Sequence, residues 1–185
     1  MQVLDVPAEL VRRLSRLEYE ALGRMGAFDD QKVELLYGVI VRMSPIGPPH
    51  VWASNRLAQA LIVALGDRAF VATQSSFAAS DDSEPEPDIA VYPPKDYRRE
   101  LPSEALLIVE VSDSSLQRDR NVKAALYASI GVPEYWIVDL VHGVVLVHRA
   151  PVDGAYTSLV TVGTDGTVSP AAFPDVVVPT NNFLP

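Results

Sequence analysis

Cysteine is absent from the 185 residues, which removes disulfide scaffolds, thiol nucleophiles and zinc-thiolate centres together. Any metal would therefore be held mainly by oxygen, and a cysteine-free chain fits a reducing cytoplasm. No apolar stretch approaches the roughly 20 residues of a membrane span. Residues 1–14 scatter acids among apolar residues and lack the basic-then-apolar order of a signal peptide. HExxH, GxxxxGK[ST] and GxSxG are all missing, so zinc protease, P-loop and α/β-hydrolase chemistry has no motif support. Positive charge is also short: 15 Lys and Arg face 24 Asp and Glu, a net charge of -9. A surface that coats nucleic acid broadly needs clustered Lys and Arg, which leaves only a local basic site around Arg98, Arg99, Arg118, Arg120 and Lys123. Neither an internal repeat nor a linker interrupts the chain, so one domain over 1–185 is expected.

What the chain does have is alternating helical and strand patterning. The spacing predicts a helix over 7–23 with Leu10, Leu14 and Leu17 inward, then a hairpin of Val33–Leu36 and Val39–Met43 about Tyr37-Gly38. A second helix is expected from His50 to Leu65 with Leu57, Leu61, Ile62 and Leu65 inward and Gly66 as its cap. Strands follow at 69–78, 89–92 and 105–111, then a helix from a Ser114/Gln117 capping box to Ile130 with Val122, Ala125, Leu126 and Ile130 inward. Tyr135–Asp139 and Val144–His148 complete a further hairpin, with two short strands in 156–178. This order favours a mixed sheet with helices packed on it. The helix between the strands at 105–111 and 135–139 implies a parallel crossover.

Two acids stand out against this pattern. Asp88 closes Glu86-Pro87-Asp88 just before a strand, and Glu110 interrupts the apolar run 105–111. An unpaired buried carboxylate costs several kcal/mol, so Glu110 needs a partner, a proton or an edge position. Paired carboxylates on neighbouring strands can hold Mg2+, which keeps several waters for itself. Lys123 stands four residues after Asp119, one turn away, and Tyr127 extends that face by another turn. Glu34 is a third candidate acid, or equally an exposed strand position paired with Lys32 or Arg42. His50, at a helix start, is a candidate phosphate contact, while His142 and His148 read as structural.

Together these residues resemble the PD-(D/E)XK nuclease superfamily and, within it, the Uma2 family, also called DUF820. The resemblance rests on Val33 through Val41, Met43-Ser44-Pro45 followed by His50, Glu86-Pro87-Asp88, Ile108 through Ser112, and Asp119 through Lys123 to Tyr127. The string Gly131 through Asp139 is the most distinctive. The resemblance implies a restriction-endonuclease-like α/β core: a mixed central sheet flanked by helices, with extra C-terminal strands. It also implies DNA as substrate, Mg2+ or its substitute Mn2+ as cofactor and a cytoplasmic setting, while the apolar strand 144–148, read as exposed, suggests a homodimer or higher homo-oligomer. By residue, it implies metal carboxylates at Asp88, Glu110 and Glu34, catalysis shared with Lys123, and substrate contacts from His50, Asp119 and Tyr127. The chain departs from the superfamily where a lysine belongs two places after the glutamate: Ser112 stands there, and Lys123 on the following helix matches the Uma2-like pattern instead. Two alternatives remain, a catalytically silent nuclease-fold binding or accessory protein, and a carboxylate pair working as acid and base on a sugar in a wide aromatic cleft.

Overall fold

The computed structural model describes residues 10–185; the start of the helix expected from residue 7 lies outside them. Helix α1 (Arg16–Arg24) begins at a capping box, in which the Ser15 hydroxyl accepts from the Glu18 amide and the Glu18 carboxylate accepts from the Ser15 amide. This box starts the helix later than the apolar spacing suggests. The expected inward stripe does not form, since Leu10 and Leu17 are 72% and 68% exposed. Strands β1 (Val33–Leu36) and β2 (Val39–Arg42) form the expected hairpin. Its turn residues Tyr37 and Gly38 both have positive φ, 50° and 75°, as a tight turn matching strand twist requires. Helix α2 (Pro48–Leu65) starts two residues earlier than expected because Pro48 and Pro49 occupy its first positions, where no N–H is needed. His50 therefore lies within the first turn. Leu57, Leu61 and Leu65 are buried, whereas Ile62 faces outward.

A six-stranded mixed sheet carries the core, in the order β3-β4-β5-β6-β7-β8. Its strands are β3 (Phe70–Thr73), β4 (Ile89–Tyr92), β5 (Leu107–Ser112), β6 (Glu134–Asp139), β7 (Val144–Val152) and β8 (Ala155–Gly163). The β5–β6 pair is parallel, as the intervening helix implies, and the other pairs are antiparallel. The C-terminal strands β9 (Thr167–Val168) and β10 (Val178–Pro179) pair with each other.

Alternation along the strands sorts side chains onto two faces. Ile89, Val91, Val109, Val111, Trp136 and Val138 pack with α2 and the C-terminal Phe183 and Leu184. Ala90, Ile108, Tyr135 and Ile137 pack with Ala124 and Tyr127 on the opposite face. Glu110 and Ser112 share the parity of Ile108 and so belong to this second face, beneath the helix that follows β5.

That helix is not uniform. A short α3 (Leu116–Arg118) leads into a π-helical turn, Asp119–Lys123, and then α4 (Ala124–Ser129). The Ala124 amide donates to the Asp119 carbonyl, five residues back. The inward positions are Asp119, Lys123, Ala124, Leu126 and Tyr127, while Val122 is 38% exposed. The expected stripe through Val122 is thus displaced by one residue, toward Lys123. The expected Ser114/Gln117 box does not form; Ser115 precedes the helix and makes no side-chain cap.

Candidate active site

Continuing the antiparallel register Ile89↔Val109 by one residue sets Asp88 opposite Glu110 on one face. Both line one cleft at the sheet end, with Met43 to Gly47, His50, Asp113, Arg118 and Lys123 around it. The cleft is small, about 50 Å³, and among the described residues no Phe, Tyr or Trp lines it. That argues against the wide aromatic groove of a sugar hydrolase.

Each facing carboxylate has one oxygen tied down. Asp88 Oδ2 accepts from the Val111 amide at 2.8 Å and lies 3.1 Å from His50 Nε2. Glu110 Oε1 accepts from Lys123 Nζ at 2.8 Å and from the Tyr127 hydroxyl at 2.9 Å. Among the described residues, Asp88 Oδ1 and Glu110 Oε2 make no hydrogen bond, yet neither is among the sealed, unpartnered atoms. These two oxygens are the donor pair open to the cleft.

Lys123 is the hub behind them. Its ammonium also lies 2.9 Å from Glu34 Oε2. Glu34 is fully buried, contrary to an exposed strand position, and among the described residues its Oε1 has no hydrogen-bond partner. The hairpin delivers it because Leu35 pairs through its backbone with Glu84, just ahead of Asp88. Glu34, Asp88, Glu110 and Asp119 meet two certain cations, Lys123 and Arg118, so two negative charges are left over when all four acids are ionised.

Protonation follows from this crowding. Burial pushes Glu110 up to about 8; Lys123 opposes the shift, and Asp88, Asp119 and Glu34 add to it. Because Oε1 already accepts two hydrogen bonds, the proton belongs on Oε2, the oxygen open to the cleft. Burial would lower Lys123, but the charges of Glu110, Glu34 and Asp119 outweigh it and hold the ammonium above its ordinary range. Burial and the Glu110 charge hold the Tyr127 hydroxyl far above its ordinary value, so it stays a donor. For His50, burial works downward, but the hydrogen bond and charge of Asp88 prevail and raise it.

Not every sequence candidate reaches the cleft. Asp119 is buried behind it, where its Oδ2 accepts from the Ser112 and Ser115 hydroxyls at 2.7 and 2.5 Å. Ser112, at the place of the superfamily lysine, thus anchors the start of the π turn that carries Lys123. Tyr127 is also behind the cleft, touching Glu110 rather than open space. Glu34 holds Lys123 instead of joining Asp88 and Glu110 at the opening. Among the described residues, no group of three or more His, Asp and Glu is arranged to hold a metal, so the donor set at the opening is two carboxylates. Arg98 pairs with Asp96 and Arg99 lines a separate hollow, leaving Arg118 and Lys123 as the cleft's basic groups. Arg118 belongs to the local basic cluster read from the sequence, which gave it no particular role. It lies five residues before Lys123, a spacing that only a π turn brings into line.

A family model described as "Uma2: Putative restriction endonuclease" matches residues 17–181. Among solved structures, the chain is similar to a "putative nuclease belonging to DUF820" from Anabaena variabilis ATCC 29413. The two are 16% identical, with a TM-score of 0.66 over 82% of this chain and 88% of the other. None of the curated proteins compared with the chain matches it.

Proposed function

The chain belongs to the Uma2 family, and on that premise we propose that it is a divalent-metal-dependent endonuclease hydrolysing DNA phosphodiester bonds. The observation that carries this reading is the facing pair Asp88 and Glu110, each with one oxygen anchored and one open to the same cleft. Two carboxylates fit Mg2+, with Mn2+ as substitute, because Mg2+ takes one or two carboxylates and retains several waters. Bound there, the ion would supply activation of water and neutralisation of charge developing on the phosphate.

The protein's own groups do the rest. The Val111 amide and His50 fix the direction of the Asp88 carboxylate. Lys123 and Tyr127 fix Glu110, and the Lys123 ammonium, which also lines the cleft, stabilises negative charge or orients the attacking water. Glu34 and Asp119 act as positioning residues: the first holds Lys123 and the second holds the turn that carries it. His50, at the cleft wall, meets a substrate phosphate with its raised share of imidazolium. A cytoplasmic setting and a homodimer belong to the same reading.

Two observations favour the second reading, a catalytically silent nuclease-fold binding or accessory protein. Lys123 already neutralises Glu34 and Glu110 as a buried cluster, and Ser112 stands where the superfamily lysine belongs. Plasmid nicking with Mg2+ or Mn2+ separates the two. The nuclease reading expects activity that disappears in Asp88→Ala and Glu110→Ala; activity unchanged in both variants sinks it. Calorimetry that detects no divalent ion at millimolar concentration favours the silent protein.

A further inference from the structure

A second recess adjoins the carboxylate cleft and is chemically its opposite. It holds about 490 Å³ and is walled by Pro48, Pro49 and Trp52 of α2, Leu140 and Val141 of the β6–β7 turn, and Phe183 near the C-terminus. That volume is in the range of small-molecule sites. Asp113 stands on its wall and also lines the carboxylate cleft, so the two lie side by side. Trp52 is 49% exposed, two residues beyond the cleft residue His50 on the same helix.

We propose that this recess receives an unpaired nucleobase of the nucleic-acid substrate, stacked on Trp52, with the guanidinium of Arg56 meeting the adjoining phosphate. The proposal rests on the nuclease reading and narrows it to substrates with single-stranded or unwound segments. Three observations select this occupant. Arg56 stands one turn after Trp52, is exposed, has no acidic partner among the described residues, and reaches the backbone carbonyl of Asn182 beside Phe183. A cation thus flanks an apolar aromatic wall, the pairing that a nucleotide's base and phosphate require. The recess shares its Asp113 wall with the cleft in which the phosphodiester would be cut. Finally, a chain of net charge -9 gains little from phosphate contacts alone. Stacking supplies attraction that is independent of charge.

Tryptophan emission reads this contact directly, because the chain has two tryptophans and Trp136 is fully buried against Glu134. The full-length protein in EDTA is titrated with a single-stranded oligonucleotide and with a blunt duplex of the same length. The proposal expects quenching by the single strand well beyond that by the duplex. Trp52→Ala should weaken single-strand binding about 5- to 150-fold, with much of the affinity kept by Trp52→Phe. Arg56→Ala should lower the salt dependence by about one phosphate contact. Equal quenching by both oligonucleotides, or single-strand affinity unchanged in Trp52→Ala, overturns it. If the parent cleaves in an Asp88-dependent way while Trp52→Ala binds and cuts unpaired DNA normally, this inference falls and the nuclease reading stands. Quenching confined to the single strand, with plasmid nicking unaffected by Asp88→Ala and Glu110→Ala, supports the recess and sinks the nuclease.

Discussion

Glu110 and Glu134 are both buried carboxylates, and the contrast between them separates a working group from a structural one. Glu134 is fully engaged: Oε1 accepts from Trp136 Nε1 at 2.8 Å and Arg149 Nε at 2.7 Å, and Oε2 accepts from the Ala171 amide at 2.5 Å. It ties the C-terminal segment to the sheet. Glu110 has one oxygen engaged and one left for the cleft, and burial keeps its proton until about pH 8 instead of the ordinary 4.5. The folded protein therefore binds a proton that the unfolded chain has released. The stability from this group is fully present below about 4.5 and is lost as pH rises toward about 8. A divalent ion competes with that proton. The Mg2+-induced rise in melting temperature should thus be small near pH 6.5 and grow through pH 8.5, and Glu110→Gln should abolish it; a response flat with pH would contradict the assignment. Asp88 and Glu110 were legible in the sequence because an acid in or beside an apolar strand needs a reason. The most distinctive string, Gly131 through Asp139, owes its character to Glu134 and the turn at Asp139, which serve the fold. Nothing in the residue types told one role from the other.

At the scale of elements, the segment that decides the site is the π turn, Asp119–Lys123. Single π turns inside helices recur at functional sites because one added residue re-aims everything after it. Here the turn brings Arg118 and Lys123 to the same side and sets Lys123 and Tyr127 on one oxygen of Glu110. Deleting Val122, an exposed residue of the turn, should restore a regular helix. Helix content should stay near the parent's, while metal-dependent cleavage falls about 100-fold, the usual cost of displacing a catalytic group by about 1 Å. Cleavage that survives the deletion would mean that the position of Lys123 does not matter. The hairpin, the parallel crossover and the cap of α2 were readable because each has a local signal: Tyr37-Gly38, a strand-helix-strand order, and Gly66, which has positive φ. In the helix interior, apolar patterning assigns Val122 inward, one residue short of the position that is buried. The real inner position is a lysine whose charge is met by acids distant in sequence, Glu34 and Glu110. No local pattern records that balance.

For the molecule as a whole, the sheet has an unguarded edge. Strands 144–148, which the sequence suggests as an exposed apolar surface for a dimer, are internal to the sheet: Val145, Leu146 and Val147 are buried and β7 is paired on both sides. The outer strand is β8, nine residues long and without a single charge or proline. Its Leu159 and Val160 are 58% and 50% exposed. Soluble proteins normally blunt such an edge with lysine, proline or a bulge, because open N–H and C=O groups recruit another strand. The remaining surface of a -9 chain repels a second copy, so an uncharged strip is where two copies can meet. Two β8 strands pairing antiparallel about Leu159 would join the sheets and give one assembly two clefts. Sedimentation should then show twice the 20.1 kDa chain mass, and Leu159→Lys, an exposed change that leaves the fold intact, should return the protein to a single chain. The functional consequence is separable from the chemistry of each cleft. A one-site monomer should still nick a plasmid, but it should lose the concerted two-strand cut that linearises it. A parent that sediments as one chain at tens of micromolar, or a Leu159→Lys variant that linearises as well as the parent, would rule out β8 as the joint.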